Sequence, residues 1–146
     1  MIFENKLLSG LFIKRYKRFF VDIQIKNKVV TAHCPNTGSM YGLLNKGNKV
    51  WLSETSNPNR KLKYTLQIIE DKGQKVGINT HLTNKIFMDG LKSNLIEEFD
   101  KNIEIKPEVK FNNNTRFDFL IKKKNYKAFI EVKNVTLVRK SKIAEF

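Results

Sequence analysis

The stretch FFVDIQIKNKVVTAHC, residues 19–34, reads as two strands joined by a turn. Phe19, Val21, Ile23 and Ile25 fall on one face and Asp22 and Gln24 on the other, the period of a half-buried strand. Lys26 and Asn27 supply the turn, and residues 29–34 the return strand, giving a hairpin. Outward from it, PNTGSMYG (35–42) is a polar loop. KVWLSE (49–54), KYTLQIIE (63–70) and KVGINT (75–80) are further strands, separated by Asn, Pro, Gly and Lys clusters. Such closely spaced short strands predict a small β-barrel of the OB type, with a sandwich fragment as the competing architecture.

The pattern changes near residue 82. In LTNKIFMDGLKSNLIEEF (82–99), Ile86, Phe87, Leu91, Leu95, Ile96 and Phe99 recur at helical spacing, with Thr83 or Asn84 placed to cap the start. Gly90 weakens the middle by about 1 kcal/mol relative to Ala. Three strands follow, IEIKPEVKF (103–111), RFDFLIK (116–122) and YKAFIEVKNV (126–135), with NNNT and KKN as turns. The expectation is an α+β chain. Residues 1–82 are expected to form an OB-like domain, and residues 83–146 a second domain of one helix and three strands.

The chain of 146 residues carries a formal charge of +14, which points to nucleic acid as a partner. Residues 1–82 hold +9 of it. A solvated lysine-rich surface explains the same charge, since 23 of the 28 basic residues are Lys. No apolar run approaches the roughly 20 residues of a membrane span, and no signal-peptide pattern is present. With the single Cys34 excluding an internal disulfide framework, a cytoplasmic protein without a membrane partner is expected. A homodimer is left open.

Two stretches carry binding chemistry. KRYKRFF (14–20) interleaves Lys14, Arg15, Lys17 and Arg18 with Tyr16, Phe19 and Phe20, the composition of a nucleic-acid stacking surface. The alternation assigns Phe19 to the core and leaves Tyr16 and Phe20 as stacking candidates. Trp51 is read as core. PNTGSM has one Gly and no following Lys-Ser/Thr, so it is no P-loop. Asn36, Thr37, Gly38 and Ser39 still form a turn of amides and hydroxyls suited to phosphate. Lys61 and Lys63 extend the basic surface. His33, Cys34 and His81 are too few for a zinc site.

The last strand poses a separate question, because Glu131 and Lys133 share a face of it. Antiparallel pairing across the short turn sets Asp118 near Glu131. Two converging carboxylates repel unless a cation lies between them. Asp118, Glu131 and the Val132 carbonyl offer oxygen ligands suited to Mg²⁺ or Mn²⁺. A lysine beside such a metal orients water and neutralises charge developing on a phosphate. Asp, about a dozen residues, then Glu-x-Lys is the PD-(D/E)xK nuclease arrangement, with Asp118, Glu131 and Lys133 as its catalytic residues. The plainer reading is a surface ion pair, and Phe129 places apolar bulk on the same face. Glu97 and Glu98 are read as solvated helix acids.

Six segments, IKRYKRFFVDI, HCPNTGSM, VWLSETSNPNRKLKYT, VGINT, RFDFL and EVKNVTLV, resemble, in order, the sugar fermentation stimulation protein family (SfsA). The resemblance implies an N-terminal OB-like domain, a C-terminal PD-(D/E)xK nuclease-like domain, DNA binding and a role at sugar-utilisation (maltose-type) genes. Asp118, Glu131 and Lys133 fall on the family's nuclease-motif positions. The family continues past KIAEF with an FPDA segment and a further helix, so the second domain is expected to be incomplete here. Three functions follow as expectations: DNA binding with little sequence preference, metal-dependent hydrolysis of phosphodiesters, and a non-enzymatic regulatory module with a protein partner.

Overall fold

In the computed structural model, residues 3, 5–99, 102–138 and 144–145 are described. They divide into two units. One runs from Leu82 to Lys133, and the other joins the chain up to His81 with the segment from Asn134.

The larger unit is a closed barrel. Its strands are β1 (Leu8–Tyr16), β2 (Phe20–Ile25), β3 (Lys28–His33), β4 (Lys49–Glu54) and β5 (Tyr64–Asp71), and β6 (Gln74–Gly77) extends β5. The first five run in the order β3-β2-β1-β4-β5, and a parallel contact of Ala32 with Tyr64 and His33 with Thr65 joins β3 to β5. That closure leaves no open edge among the five and defines an OB barrel. Val21, Ile23, Ala32, Val50, Leu52, Leu66 and Ile69 point inward, and Met40, Leu43 and Ile78 fill the core from the connections. Cys34 is buried there as well, its thiol donating to the Met40 sulfur at 3.7 Å. Burial pushes its pKa up, so it stays a protonated core residue.

The strand β1 has no clean alternation in sequence, for a structural reason. Leu8–Leu11 pair with β4 and Leu11–Tyr16 with β2, and a bulge interrupts the register between Phe12 and Lys14. A bulge shifts the inward–outward alternation by one residue. At Gly10 an added Cβ would lie 2.6 Å from Ile23 Cγ2 and 2.8 Å from the Gln24 carbonyl oxygen. Gly10→Ala is therefore expected to destabilise the barrel by about 1–3 kcal/mol through overpacking. The shift of the denaturant midpoint, followed by Trp51 fluorescence, measures it, and an unmoved midpoint would show that β1 and β2 separate freely.

Two core assignments change. Phe19 precedes β2 and sits in the β1–β2 turn at 41% exposure. There its N–H donates to the Lys17 carbonyl and its own carbonyl accepts from Cys34 N–H. Trp51 lies between the buried Val50 and Leu52 and so faces outward, with Lys49 and Lys75 Nζ at 5.2 and 5.0 Å from its ring.

The smaller unit contains α1 (Thr83–Lys92) and the antiparallel sheet β7-β8-β9 (Glu104–Lys110, Arg116–Lys123, Tyr126–Ile130). Its apolar contacts centre on Leu91, Phe119, Leu120 and Ile121, with the Phe87 ring 5.2 Å from that of Phe119. The helix is shorter than its apolar spacing predicts. Asn94 takes φ +53°, Leu95 N–H donates to the Gly90 carbonyl, and Ile96 folds back on Gly90, where a Cβ would lie 3.3 Å from it. Leu95 is consequently exposed. Leu82 holds the N-cap position without a side-chain bond, so neither Thr83 nor Asn84 caps the helix. The strand expected to reach residue 135 ends at Ile130, and β10 (Leu137–Val138) pairs with β11 (Ala144–Glu145).

Candidate nucleic-acid interface and carboxylate site

On an OB barrel, oligonucleotides bind across strands 2 and 3 and the loops between strands 1–2 and 4–5. Here the first loop is Lys17–Phe19 and the second is residues 55–63. Lys17 and Arg18 adopt φ +45° and +63°, a left-handed conformation costing non-glycine residues roughly 1–2 kcal/mol each. The turn thus keeps two exposed basic side chains where glycine would be relaxed.

Arg15 holds this turn against the 36–39 loop. Its Nε donates to the Arg18 carbonyl at 2.7 Å, Nη1 to the Gly38 carbonyl at 2.8 Å and to the Ser39 carbonyl at 3.4 Å, and Nη2 to the Asn36 carbonyl. Arg15, expected as a phosphate contact, thus donates to four backbone carbonyls of the turn and loop. Between turn and loop lies a cleft of about 470 Å³ lined by Arg15, Tyr16, Lys17, Arg18, Thr37, Gly38, Ser39 and Leu44. Thr37, Gly38 and Ser39 are exposed, whereas Asn36 is 2% exposed. The Asn36 side chain donates to the Ile78 carbonyl and Thr136 Oγ1 and accepts from Gly38 N–H.

The remaining basic residues differ in availability. Lys14 pairs with Asp22 at 3.6 Å, and its Nζ lies 5.5 Å from the Tyr16 ring centroid. Lys63 pairs with Glu54 at 2.6 Å, and that hydrogen bond raises its pKa. Lys61 is exposed. Arg60, absent from the sequence reading although it abuts Lys61, donates to Thr65 Oγ1 and stands near His33. Burial first, then the charges of Arg60 and His81, lower the His33 pKa and favour the neutral imidazole.

In the smaller unit the β8–β9 register runs from Lys123↔Tyr126 to Phe119↔Ile130, so one further pair would set Asp118 opposite Glu131. On its other side the ladder skips Asp118, where Pro107 has no N–H and Glu108 takes φ +53°. Asp118 Oδ1 accepts from Asn84 Nδ2 and Oδ2 from Val132 N–H, both at 2.8 Å. Val132 meets Asp118 through its amide. Glu131 is held by Lys133 at 2.6 Å, a bond that raises the lysine's pKa. Phe129 packs with Phe117 and Phe111, ring centroids 5.1 and 5.0 Å away. Glu97 and Glu98 are exposed. Among the described residues, no three His, Cys, Asp or Glu side chains cluster as a metal site.

Fold and site together define an OB barrel with a cationic loop cleft, joined to a small α+β unit carrying Asp118 on β8 and Glu131 and Lys133 just past the end of β9. Residues 13–78 match the SfsA N-terminal OB domain and residues 81–146 the sugar fermentation stimulation protein RE domain. The chain belongs to the sugar fermentation stimulation protein family. It is 57% identical over its whole length to the homologue from Pelagibacter ubique, covering 63% of that protein. It is 44% identical to the homologue from Pseudoalteromonas atlantica, over 94% of this chain and 61% of that one. The chain thus spans under two thirds of these curated relatives' length. A solved structure, that of Pyrococcus furiosus SfsA in complex with Ca²⁺, matches with a TM-score of 0.71 and 26% identity, over 87% of this chain and 54% of that one. No helix among the described residues is long and apolar enough to cross a membrane.

Proposed function

We propose that the barrel binds DNA with little sequence preference, chiefly through lysine and arginine contacts to phosphate. The observation that carries this is the β1–β2 turn, which holds Lys17 and Arg18 in a strained conformation beside the Thr37–Ser39 loop, with Arg15 as the brace. Phosphate contacts carry no sequence information by themselves, hence the weak preference. With the name its relatives bear, action at sugar-utilisation genes is the matching biological role.

Each phosphate contact steepens the fall of log affinity against log salt by about 0.9. Replacing Lys17 and Arg18 together by Ala is expected to weaken duplex binding about tenfold and to flatten that slope by close to two contacts. Affinities on two unrelated duplexes across a salt series measure both. A flat salt response of the unaltered chain, or a strong preference for one duplex, would overturn the reading.

A second reading, metal-dependent hydrolysis of DNA phosphodiesters, is supported by the β8–β9 ladder, whose last pair, Phe119↔Ile130, is one position short of Asp118 and Glu131. A relative solved with Ca²⁺ supports an oxygen-ligand cation site in the family. Asp118 and Glu131 would hold Mg²⁺ or Mn²⁺, with the Val132 carbonyl as a third ligand. Lys133 would stand beside them as the cation facing phosphate. When bound, such a metal supplies Lewis-acid stabilisation of charge on phosphate oxygens.

A further inference from the structure

The outer face of the barrel carries more flat aromatic surface than phosphate binding requires. Tyr16, Phe20 and His33 stand directly opposite one another on β1, β2 and β3, so their side chains share one face. The Tyr16 and Phe20 rings are stacked, with centroids 5.6 Å apart and planes 16° from parallel. Phe19, displaced into the turn, stacks on His33 at 6.3 Å and 21°. Phe19 and Tyr16 are 41% and 36% exposed, with Lys14 Nζ over the Tyr16 ring. The acid on this face, Asp22, is covered by Lys14 and by the hydroxyls of Tyr16 and Thr31. Arg60 donates to the Oγ1 of Thr65, the β5 partner of His33 at the other end of the row.

Paired bases in a duplex turn only their edges toward a protein, and exposed ring faces find no partner there. Unpaired bases offer their faces and stack on such rings whatever their identity. We infer that this aromatic row is a base-stacking platform, and that the barrel prefers single-stranded to duplex DNA. The inference rests on the DNA-binding reading above and specifies the form of DNA. Phe19 is the exposed anchor, because the turn fixes its backbone at both N–H and carbonyl while its ring stays open.

The test compares three ligands of about 16 nucleotides, near the upper limit one OB barrel covers: an oligothymidylate, a duplex, and an abasic strand with the same phosphates. At fixed salt the oligothymidylate is expected to bind about tenfold tighter than either of the others. Phe19→Ala should remove that advantage, and Phe19→Tyr, which keeps a ring, should retain it. Equal affinity for the abasic strand and the oligothymidylate, or tighter binding of the duplex, would overturn the platform while leaving DNA binding itself in place. An advantage that survives Phe19→Ala would overturn Phe19 as its anchor. Failure to bind any of the three would overturn both readings.

Discussion

Replacing Asn36 by leucine, close to it in volume, is expected to cost the barrel about 3 kcal/mol, because it strands several polar groups at once. Its amide joins three parts of one unit: the Gly38 N–H of its own loop, the Ile78 carbonyl after β6, and Thr136 Oγ1 from far along the chain. Asn36 and Thr136 are buried, so water cannot take over the lost bonds. Removing one partner from a buried pair costs more than the pair's own net worth, since the other group keeps its full desolvation penalty. Asn36→Asp offers a sharper version. It keeps an acceptor for Gly38 N–H but turns acceptor oxygens toward the Ile78 carbonyl, so it should be no milder than leucine. Denaturant unfolding followed at Trp51, the only tryptophan, reports on this unit. A loss below about 1 kcal/mol in both variants would mean that the loop rearranges and re-pairs these groups.

The barrel was legible in sequence wherever a strand keeps one partner on each side and an unbroken inward–outward alternation. β2 and β4 lie within one residue of their expected bounds, as does the return strand β3. β1 escaped because it changes partners midway, needs a bulge to do so, and places Gly10 where an apolar side chain would have marked the face. Phe19 and Trp51 misled for opposite reasons. Phe19 continues an alternation that stops one residue later, at the turn. Trp51 is half-buried outside the barrel core, with two lysine ammonium groups over its ring. Asn36, in the loop, and Arg15, at the end of β1, bond chiefly to backbone groups, partners that their residue types do not reveal in sequence. Only the geometry tells a side chain that faces a ligand from one that holds the loop. Asn84, expected near a helix cap, instead reaches Asp118, a pairing between residues far apart in sequence.

Mg²⁺ or Mn²⁺ at a hundredfold excess over its dissociation constant is expected to stabilise the smaller unit by about 2.7 kcal/mol, the mass-action value for a ligand of the folded state alone. The donor set allows it. A carboxylate has about four acceptor sites, and Asp118 uses one on each oxygen, for Asn84 and for Val132 N–H. Glu131 must give up its bond to Lys133, a solvent-exposed pair in which water readily replaces either partner. The freed ammonium then stands next to the cation, where it can face a phosphate rather than a carboxylate. Asp118→Asn turns an amide toward Val132 N–H or Asn84, so its melting point should fall even without metal, and the informative quantity is the metal-induced shift in each protein. Glu131→Gln leaves the Asp118 bonds untouched and is the cleaner partner variant. A shift present in the unaltered chain and lost in both variants supports a carboxylate-held cation. A shift that survives both places any cation elsewhere. No shift in any of them, repeated on the P. ubique homologue of which this chain spans 63%, would leave Glu131 and Lys133 as an ordinary surface pair. The hydrolytic reading would then fall, and DNA binding by the barrel, which uses none of these residues, would stand or fall on the salt series alone.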